Sequence, residues 1–355
     1  GDSMTKPLRA AILGCGGIGR AHAGGYRRAG IPVVAAADVA PEGLAAFCDQ
    51  NDIAGRFADY RELLEQVRPE LVSVCTWPPI HEEMVIAAAD CGARAIACEK
   101  PLTTSLGSAK RMLAACREHG VTLVVGHQRR YNPSWLAARD AIQQGRIGVL
   151  ERIVITLGGD LLTDGVHGLN LALFWAGDPE VEWVAGQIDR RGGARERLEP
   201  PAGHSRVSPY RGWRYGHAVE SGSVSLTRLA GGVQVHMETG SLRSSKVYFT
   251  LIAHGSEGFV SVDTAGSLRL YNAAGLTAAE YGDEGGGDPF RDEMVDLARV
   301  VQGELAEHPL DVRYHLPALS VVMAIYESSR RRAPVAFPFE LDESPLEAMI
   351  AAGEA

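Results

Sequence analysis

The chain opens on short, almost continuous apolar runs separated by segments of mixed polarity, and about a third of the way along it changes to alternating runs punctuated by glycine. In the first part Ala10-Ala11-Ile12-Leu13, Val33–Ala37, Leu71–Cys75, Ala95–Cys98 and Thr122–Val125 read as strands, and Arg20–Ala29, Glu82–Asp90 and Ser105–His119 read as helices between them. Strands apolar on both faces that alternate with helices predict a parallel, doubly wound sheet. In the second part Ile153–Leu157, Val181–Asp189, Ser221–Leu229, Val233–Glu238, Val247–Ile252, Gly258–Val262 and Ser267–Tyr271 predict an open, mainly antiparallel sheet, arranged in sequence order as a meander. Amphipathic helices are expected at Pro289–Gly303 and from about Leu316 to Arg330. The change of period falls near Gly126, which predicts an α/β domain over 4–126 and an α+β domain over 127–355.

The first strand runs into Gly14-Cys15-Gly16-Gly17-Ile18-Gly19, and a helix-tolerant segment follows that Gly30 ends. In a strand–turn–helix context the three spaced glycines have separate tasks: Gly14 permits the tight turn, Gly16 lets the backbone approach a pyrophosphate, and Gly19 lets helix and strand pack closely. The helix N-terminus then faces the anion. The next strand ends at Asp38, about 20 residues on, where a carboxylate accepts from ribose hydroxyls. The same carboxylate would repel a 2′-phosphate by roughly 4 kcal/mol for unit charges at about 4 Å and an effective dielectric near 20. No basic residue follows in Val39-Ala40-Pro41-Glu42, so the expected cofactor is NAD. The alternative is that the glycines only form a turn and Asp38 caps a helix starting near Pro41.

Composition narrows the partners. A formal charge of -9 and a pI near 5.7 argue against nucleic acid and acidic membrane surfaces. No apolar stretch reaches the length of a transmembrane helix and no signal-peptide pattern is present, so a cytoplasmic protein is expected. Gly1-Asp2-Ser3 ahead of Met4 reads as an expression scar. Cys15, Cys48, Cys75, Cys91, Cys98 and Cys116 include no C-x-x-C pair, which predicts reduced thiols and no bound metal. A two-sided sheet with Val-rich alternation fits a homodimer or homotetramer. Residues 192–212 are expected to form a mobile loop.

Cys98-Glu99-Lys100-Pro101 falls at the carboxyl end of a strand, the edge at which doubly wound sheets bind ligands. Further markers are Thr76-Trp77-Pro78-Pro79-Ile80-His81, Gln128-Arg129-Arg130-Tyr131-Asn132-Pro133, Gly165-Val166-His167 followed by Trp175-Ala176-Gly177, and Met323-Ala324-Ile325-Tyr326-Glu327-Ser328-Ser329. In this order, with the opening glycine motif, the chain resembles the glucose-fructose oxidoreductase, inositol dehydrogenase and MocA (Gfo/Idh/MocA) family. The resemblance implies a Rossmann domain, an antiparallel sheet domain, and hydride exchange between a nicotinamide cofactor and a secondary alcohol or ketone of a sugar, sugar derivative or cyclitol. An NAD-dependent glycosidase of the same family and a non-catalytic nucleotide-binding regulator are the alternatives.

By the same resemblance the catalytic candidates are Lys100, as donor to the substrate oxygen, and His167, as base, with Asp164 and Thr163 beside it. Cofactor contacts are expected from Gly14, Gly16, Gly17, Ile18, Gly19, Asp38, Cys75, Thr76, Trp77, His81, Glu99, Lys100 and Gln128. Substrate contacts are expected from Lys100, Arg130, Tyr131, His167 and Asn170. Family members commonly carry Asp four residues before the histidine and Asp three residues after it; here those positions are Thr163 and Asn170. On a helix Thr163, Asp164, His167 and Asn170 would share one stripe, and Thr163 or Asp164 could equally be its N-cap. Arg211, Trp213, Tyr215 and His217 form an aromatic and basic cluster of the kind that binds sugars, and Arg206, Arg211 and Arg214 are candidates for a phosphate.

Overall fold

The computed structural model describes residues 7–190, 212–240 and 247–354. These form two compact units. The first joins residues up to Thr103 with Ser108–Gln128 and Asp288–Val312; the second joins Thr104–Gly107, Arg129–Gly287 and Arg313–Ala355. The break after Gln128 lies close to the change of sequence period, but Asp288–Val312 belongs with the first unit and not, as the expected division had it, with the second.

Among the described residues the first unit holds β1 (Ala10–Leu13), β2 (Val33–Ala37), β3 (Gly55–Phe57), β4 (Leu71–Val74), β5 (Ala95–Cys98) and β6 (Thr122–Val125). They pair in parallel in the order β3-β2-β1-β4-β5-β6, the dinucleotide-binding order that reverses direction between β1 and β4. Strands β1, β4 and β5 are buried at every position, which is why their sequences are apolar without alternation. Between the strands run α1 (Gly17–Ala29), α2 (Pro41–Gln50), α3 (Tyr60–Val67), α4 (His81–Asp90) and α5 (Leu106–His119). Local chemistry sets their ends: Asp59 accepts from Arg61 N at the start of α3, and Gly30 turns α1 off at φ 73.

The second unit holds α6 (Pro133–Gln143), β7 (Leu150–Leu157), α7 (Val166–Ala176), β8 (Val181–Asp189), the two-residue strands β9 (Trp213–Arg214) and β10 (His217–Ala218), then β11 (Gly222–Leu229), β12 (Gln234–Thr239), β13 (Phe249–Gly255), β14 (Gly258–Asp263), β15 (Ser267–Asn272) and β16 (Gly275–Glu280). Helix α8 (Pro289–Gln302) lies in the first unit, and the chain ends with α9 (Val312–Arg331), β17 (Val335–Ala336) and α10 (Pro345–Ala352). The large sheet has the order β16-β15-β14-β13-β7-β12-β11-β8-β17. It is antiparallel except between β7 and β12, so the expected simple meander is corrected: β7 is inserted at the centre, between β13 and β12. Alternation records which face of a strand is buried, not which strand lies beside it, so the sequence pattern could not show this insertion.

One face of this sheet carries the core: Ile153, Ile155, Val235, Met237, Leu251, Ala253, Val260 and Val262 are buried. Trp135 of α6 stacks on Phe249 of β13 with ring centroids 5.4 Å apart, and Trp175 of α7 donates its indole N–H to the Trp135 carbonyl at 3.0 Å. Alternate positions point to the other face, where Val154, Ile252 and Phe259 are half-exposed and Tyr271 is exposed. All six cysteines are free thiols, in line with the sequence reading. Among the described residues no helix is long and apolar enough to cross a membrane.

Candidate functional site

The turn after β1 is built from backbone. Gly14 sits at φ 99, and a Cβ on it would lie 2.7 Å from the Cys75 carbonyl oxygen; a Cβ on Gly19 would lie 2.2 Å from the Gly14 carbonyl oxygen. Side chains are therefore excluded where strand, turn and helix meet. On Gly16 and Gly17 a Cβ would meet nothing within 4 Å, and both residues are exposed, so the turn is open on its outer side. Gly16 caps α1 with no side-chain hydrogen bond, and the first turn holds no acidic residue. The leading N–H groups of α1, including Ile18, are thus left for an external anion. Asp38, at the tip of β2, accepts from Cys15 N at 2.7 Å and from Ala40 N at 2.9 Å. It clamps the glycine turn and, with about four lone-pair sites on a carboxylate, keeps acceptor capacity for ribose hydroxyls. Helix α2 is capped by Ala40 without a side-chain bond, so Asp38 serves the turn as well as the helix start. The open glycine backbone, the uncapped helix and the half-buried carboxylate fit a dinucleotide: Gly16, Gly17 and Ile18 would hold its pyrophosphate and Asp38 its ribose.

The segment after β4 divides into inward and outward residues. Trp77 is 41% exposed, and Thr76 is half-exposed with its hydroxyl donating to Met84 Sδ at 3.4 Å. Cys75 is buried, and its backbone carbonyl borders the glycine turn. His81 is corrected. It is fully buried, with Nε2 3.0 Å from the Thr76 carbonyl and Nδ1 3.1 Å from the Leu102 carbonyl, and burial depresses its pKa. It staples the loop after β4 to the turn after β5.

Lys100 follows β5 and is half-exposed. Its two expected companions, Glu99 and Gln128, are buried. Glu99 accepts from His22 Nε2 at 2.9 Å, from Gln128 Nε2 at 2.9 Å and, on its other oxygen, from the Lys100 backbone N–H at 3.2 Å. Gln128 uses its second amide proton on Glu293 of α8 at 3.2 Å. Burial alone would raise the Glu99 pKa; the hydrogen bond and charge of His22 outweigh it and hold the carboxyl below its usual range. Burial, reinforced by Glu99, pushes Glu293 up to about 7. His22, Ser73 and Glu293 escaped sequence reasoning because nothing in a helix or strand pattern says which polar residues meet inside.

In the second unit the residues around His167 begin with a wide turn, Leu161–Gly165, closed by a bond from Gly165 N to the Asp160 carbonyl at 2.9 Å, one residue longer than an α-helical link. Asp160 caps it, accepting from Thr163 N at 2.7 Å. The cap is therefore neither Thr163 nor Asp164. The wide turn also breaks the expected single stripe. Asp164 pairs with Arg214 of β9, which also reaches Asp160 at 3.0 Å; Arg214 is a buried structural cation, not a phosphate ligand. The Ala218 carbonyl accepts from His217 Nδ1 at 3.0 Å, which leaves Nε2 as an acceptor 3.4 Å from the Thr163 hydroxyl. His217 is buried, so it does not belong to an exposed sugar-binding cluster; Trp213 and Tyr215 are half-exposed. Glu220 is buried behind the turn, accepting from Leu161 N at 2.6 Å and from the Tyr326 hydroxyl at 2.8 Å, and burial with the nearby Asp160 charge raises it to about 8. The residue most directly tied to the proposed chemistry, His167, is buried at the start of α7.

Asn170 and Arg130 are corrected as substrate ligands. Asn170 accepts from Arg130 Nε at 2.8 Å and donates to the Tyr314 carbonyl at 2.6 Å; Arg130 also holds Asp178 at 2.7 Å and lies over the Phe174 and Tyr314 rings. All of these residues belong to the second unit. Tyr131 is half-exposed next to α6. Arg206, Arg211 and the loop expected over 192–212 lie outside the described residues, except Gly212.

A parallel sheet in this order with an open glycine turn defines a dinucleotide-binding class of proteins. The model of the Gfo/Idh/MocA family, an oxidoreductase family with an NAD-binding Rossmann fold, matches residues 8–127. An uncharacterized oxidoreductase, YrbE, from Bacillus subtilis is 30% identical over 199 residues, covering 51% of this chain and 58% of that protein. An inositol 2-dehydrogenase from Ralstonia nicotianae is 35% identical over 145 residues, covering 40% and 43%. The aligned part thus spans about half the length of these curated relatives. A levoglucosan dehydrogenase solved with NADH and L-sorbose shares the fold at TM-score 0.79 and 20% identity, covering 95% of this chain and 100% of that one.

Proposed function

We propose that the protein is an NAD-dependent dehydrogenase or reductase acting on a secondary alcohol or ketone of a sugar, sugar derivative or cyclitol. The observation that carries this reading is the pairing, in one parallel sheet, of an open phosphate-binding turn after β1 with a half-exposed lysine after β5. Both lie past the carboxyl ends of their strands. Bound NAD would supply the hydride acceptor or donor. Lys100 donates a hydrogen bond to the substrate oxygen and stabilises negative charge there as the C–H bond weakens. His167 takes the hydroxyl proton in oxidation and returns it in reduction. Thr163, at the position where relatives commonly carry Asp, directs its hydroxyl to His217, while Asp164 is held by Arg214. The chain therefore runs its histidine without a carboxylate at position 163. Asp38 favours NAD over NADP by charge repulsion. The half-exposed face of the large sheet is the surface for pairing with further copies of the chain.

The test follows nicotinamide absorbance with NAD and NADP against inositols, free hexoses, phosphorylated sugars and nucleotide sugars. NAD-dependent turnover of a polyol or ketose is expected, faster than with NADP. Lys100→Ala should lower kcat by roughly 100- to 1,000-fold, the range for removing one oxyanion donor, with NAD still bound. Sugar cleavage without net cofactor change would replace the reading with the glycosidase, and full activity of Lys100→Ala would overturn the mechanism.

A further inference from the structure

The proposed chemistry leaves unused a buried polar cluster in the first unit. His22 of α1, Ser73 of β4, Glu99 after β5, Gln128 after β6 and Glu293 of α8 converge there. His22 and Glu293 are both 0% exposed. Besides its bond to Glu99, His22 has Nδ1 3.0 Å from the Ser73 hydroxyl, which is also 3.0 Å from the Tyr26 hydroxyl. Among the described residues Glu293 Oε1 has no hydrogen-bond partner. A buried ion pair gains little over apolar packing of the same volume, so stability alone is a poor reason for this arrangement. Its outlet is the candidate catalytic lysine: Glu99 accepts the Lys100 backbone N–H, and the Lys100 charge acts on the Glu99 carboxylate. Its other end is α1, the helix whose first turn is open for phosphate.

We infer that His22 and Glu99 are positioning residues for Lys100: the buried imidazolium–carboxylate pair sets the electrostatic potential at the Lys100 amine and ties its turn to the phosphate-binding helix. The inference rests on the reading of Lys100 as the group that touches the substrate oxygen. The titratable groups facing the pair are Tyr26, Cys75, His81, Cys98, Lys100 and Glu293. Burial pushes Tyr26, Cys75 and Cys98 up and His81 down, so these four are neutral at pH 7. The charges left are His22, Glu99, Lys100 and the fraction of Glu293 that is ionised. Removing the negative member must then make Lys100 easier to deprotonate, and removing the positive member must make it harder.

The test uses the full chain carrying carbon-13 lysine, without substrate. Its lysines are Lys6, Lys100, Lys110 and Lys246, and the signal lost in Lys100→Arg assigns the one of interest. Glu99→Gln should lower the Lys100 titration midpoint and His22→Gln should raise it, each by roughly one unit, the low end of what a neighbouring charge does. His22→Gln keeps an N–H for Glu99, so a merely structural brace would leave the midpoint in place in both variants, and that result overturns the inference. A second measurement needs no variant. His22 Nε2 lies 2.9 Å from the Glu99 carboxylate and Nδ1 3.0 Å from the Ser73 hydroxyl, so its ring carbons should report an imidazolium at neutral pH in the parent protein; a neutral ring overturns the inference. Shifted Lys100 midpoints together with an active Lys100→Ala would instead refute the catalytic role of Lys100 and leave the positioning intact.

Discussion

The two units bury carboxylates in different ways. In the second, Asp160 and Asp164 share Arg214, a cation that does not titrate in the physiological range; burial alone would raise Asp160, but the Arg214 charge outweighs it and holds it low. In the first, Glu99 and Glu293 face His22, a cation that can lose its proton, and Gln128 bridges the two carboxyls with one amide nitrogen. A permanent cation makes a fixed brace around the turn that leads to His167. A titratable one makes the charge behind Lys100 depend on pH. The comparison teaches that a buried acid is characterised by its counter-charge, since burial alone pushes Asp160, Glu99 and Glu293 the same way.

The sharpest way to break the comparison is to remove the permanent cation. Arg214→Met removes the cation shared by the buried Asp160 and the half-buried Asp164 and should cost roughly 3 to 5 kcal/mol in denaturant unfolding, the range for breaking a buried pair. A loss below 1 kcal/mol would show that the brace is dispensable. Glu293→Gln comes next. A carboxyl raised to about 7 in the fold, from 4.5, binds more protons folded than unfolded between those values, so stability falls as pH rises through that window and is flat above it. The isosteric amide abolishes that slope. It should equal the parent near pH 4.5 and exceed it by about 3 kcal/mol at pH 7; parallel stability curves across the window would refute the assignment. The smallest expected effect is Gly159→Ala. Its Cβ would lie 1.9 Å from Asp164 Oδ2, which Arg214 pins. A loss of roughly 1 to 3 kcal/mol is expected from overpacking, and a Tm equal to the parent's would mean that Asp164 is free to move aside.

Much of the first unit was legible along the chain because its information is local. Strands buried on both faces read as unbroken apolar runs, and a glycine turn needs particular residues at particular spacings whatever surrounds it. The strand boundaries at Ala10–Leu13, Val33–Ala37, Ala95–Cys98 and Thr122–Val125 therefore match the structure to the residue. The second unit's strands were legible for the same reason, but the central insertion of β7 was not. The motif residues divide by direction. Gly14, Gly16 and Asp38 act through backbone geometry or a strand end, which the sequence places. His81, Glu99, Gln128, Arg130 and Asn170 sit in marker motifs yet turn inward, and no spacing rule states which way a loop side chain points.

The sequence by itself determined the fold class and the nucleotide turn, because these follow from periodicity and from residue types with a single steric use. The tertiary structure alone decided that Asp288–Val312 returns to the first unit, that Asp160 and not Thr163 or Asp164 caps the wide turn, and that His22 meets Glu99 from 77 positions away. The physical reason is that a buried charge is tolerable only where its partner arrives in space, and folding sets that meeting with no trace in the spacing of either residue.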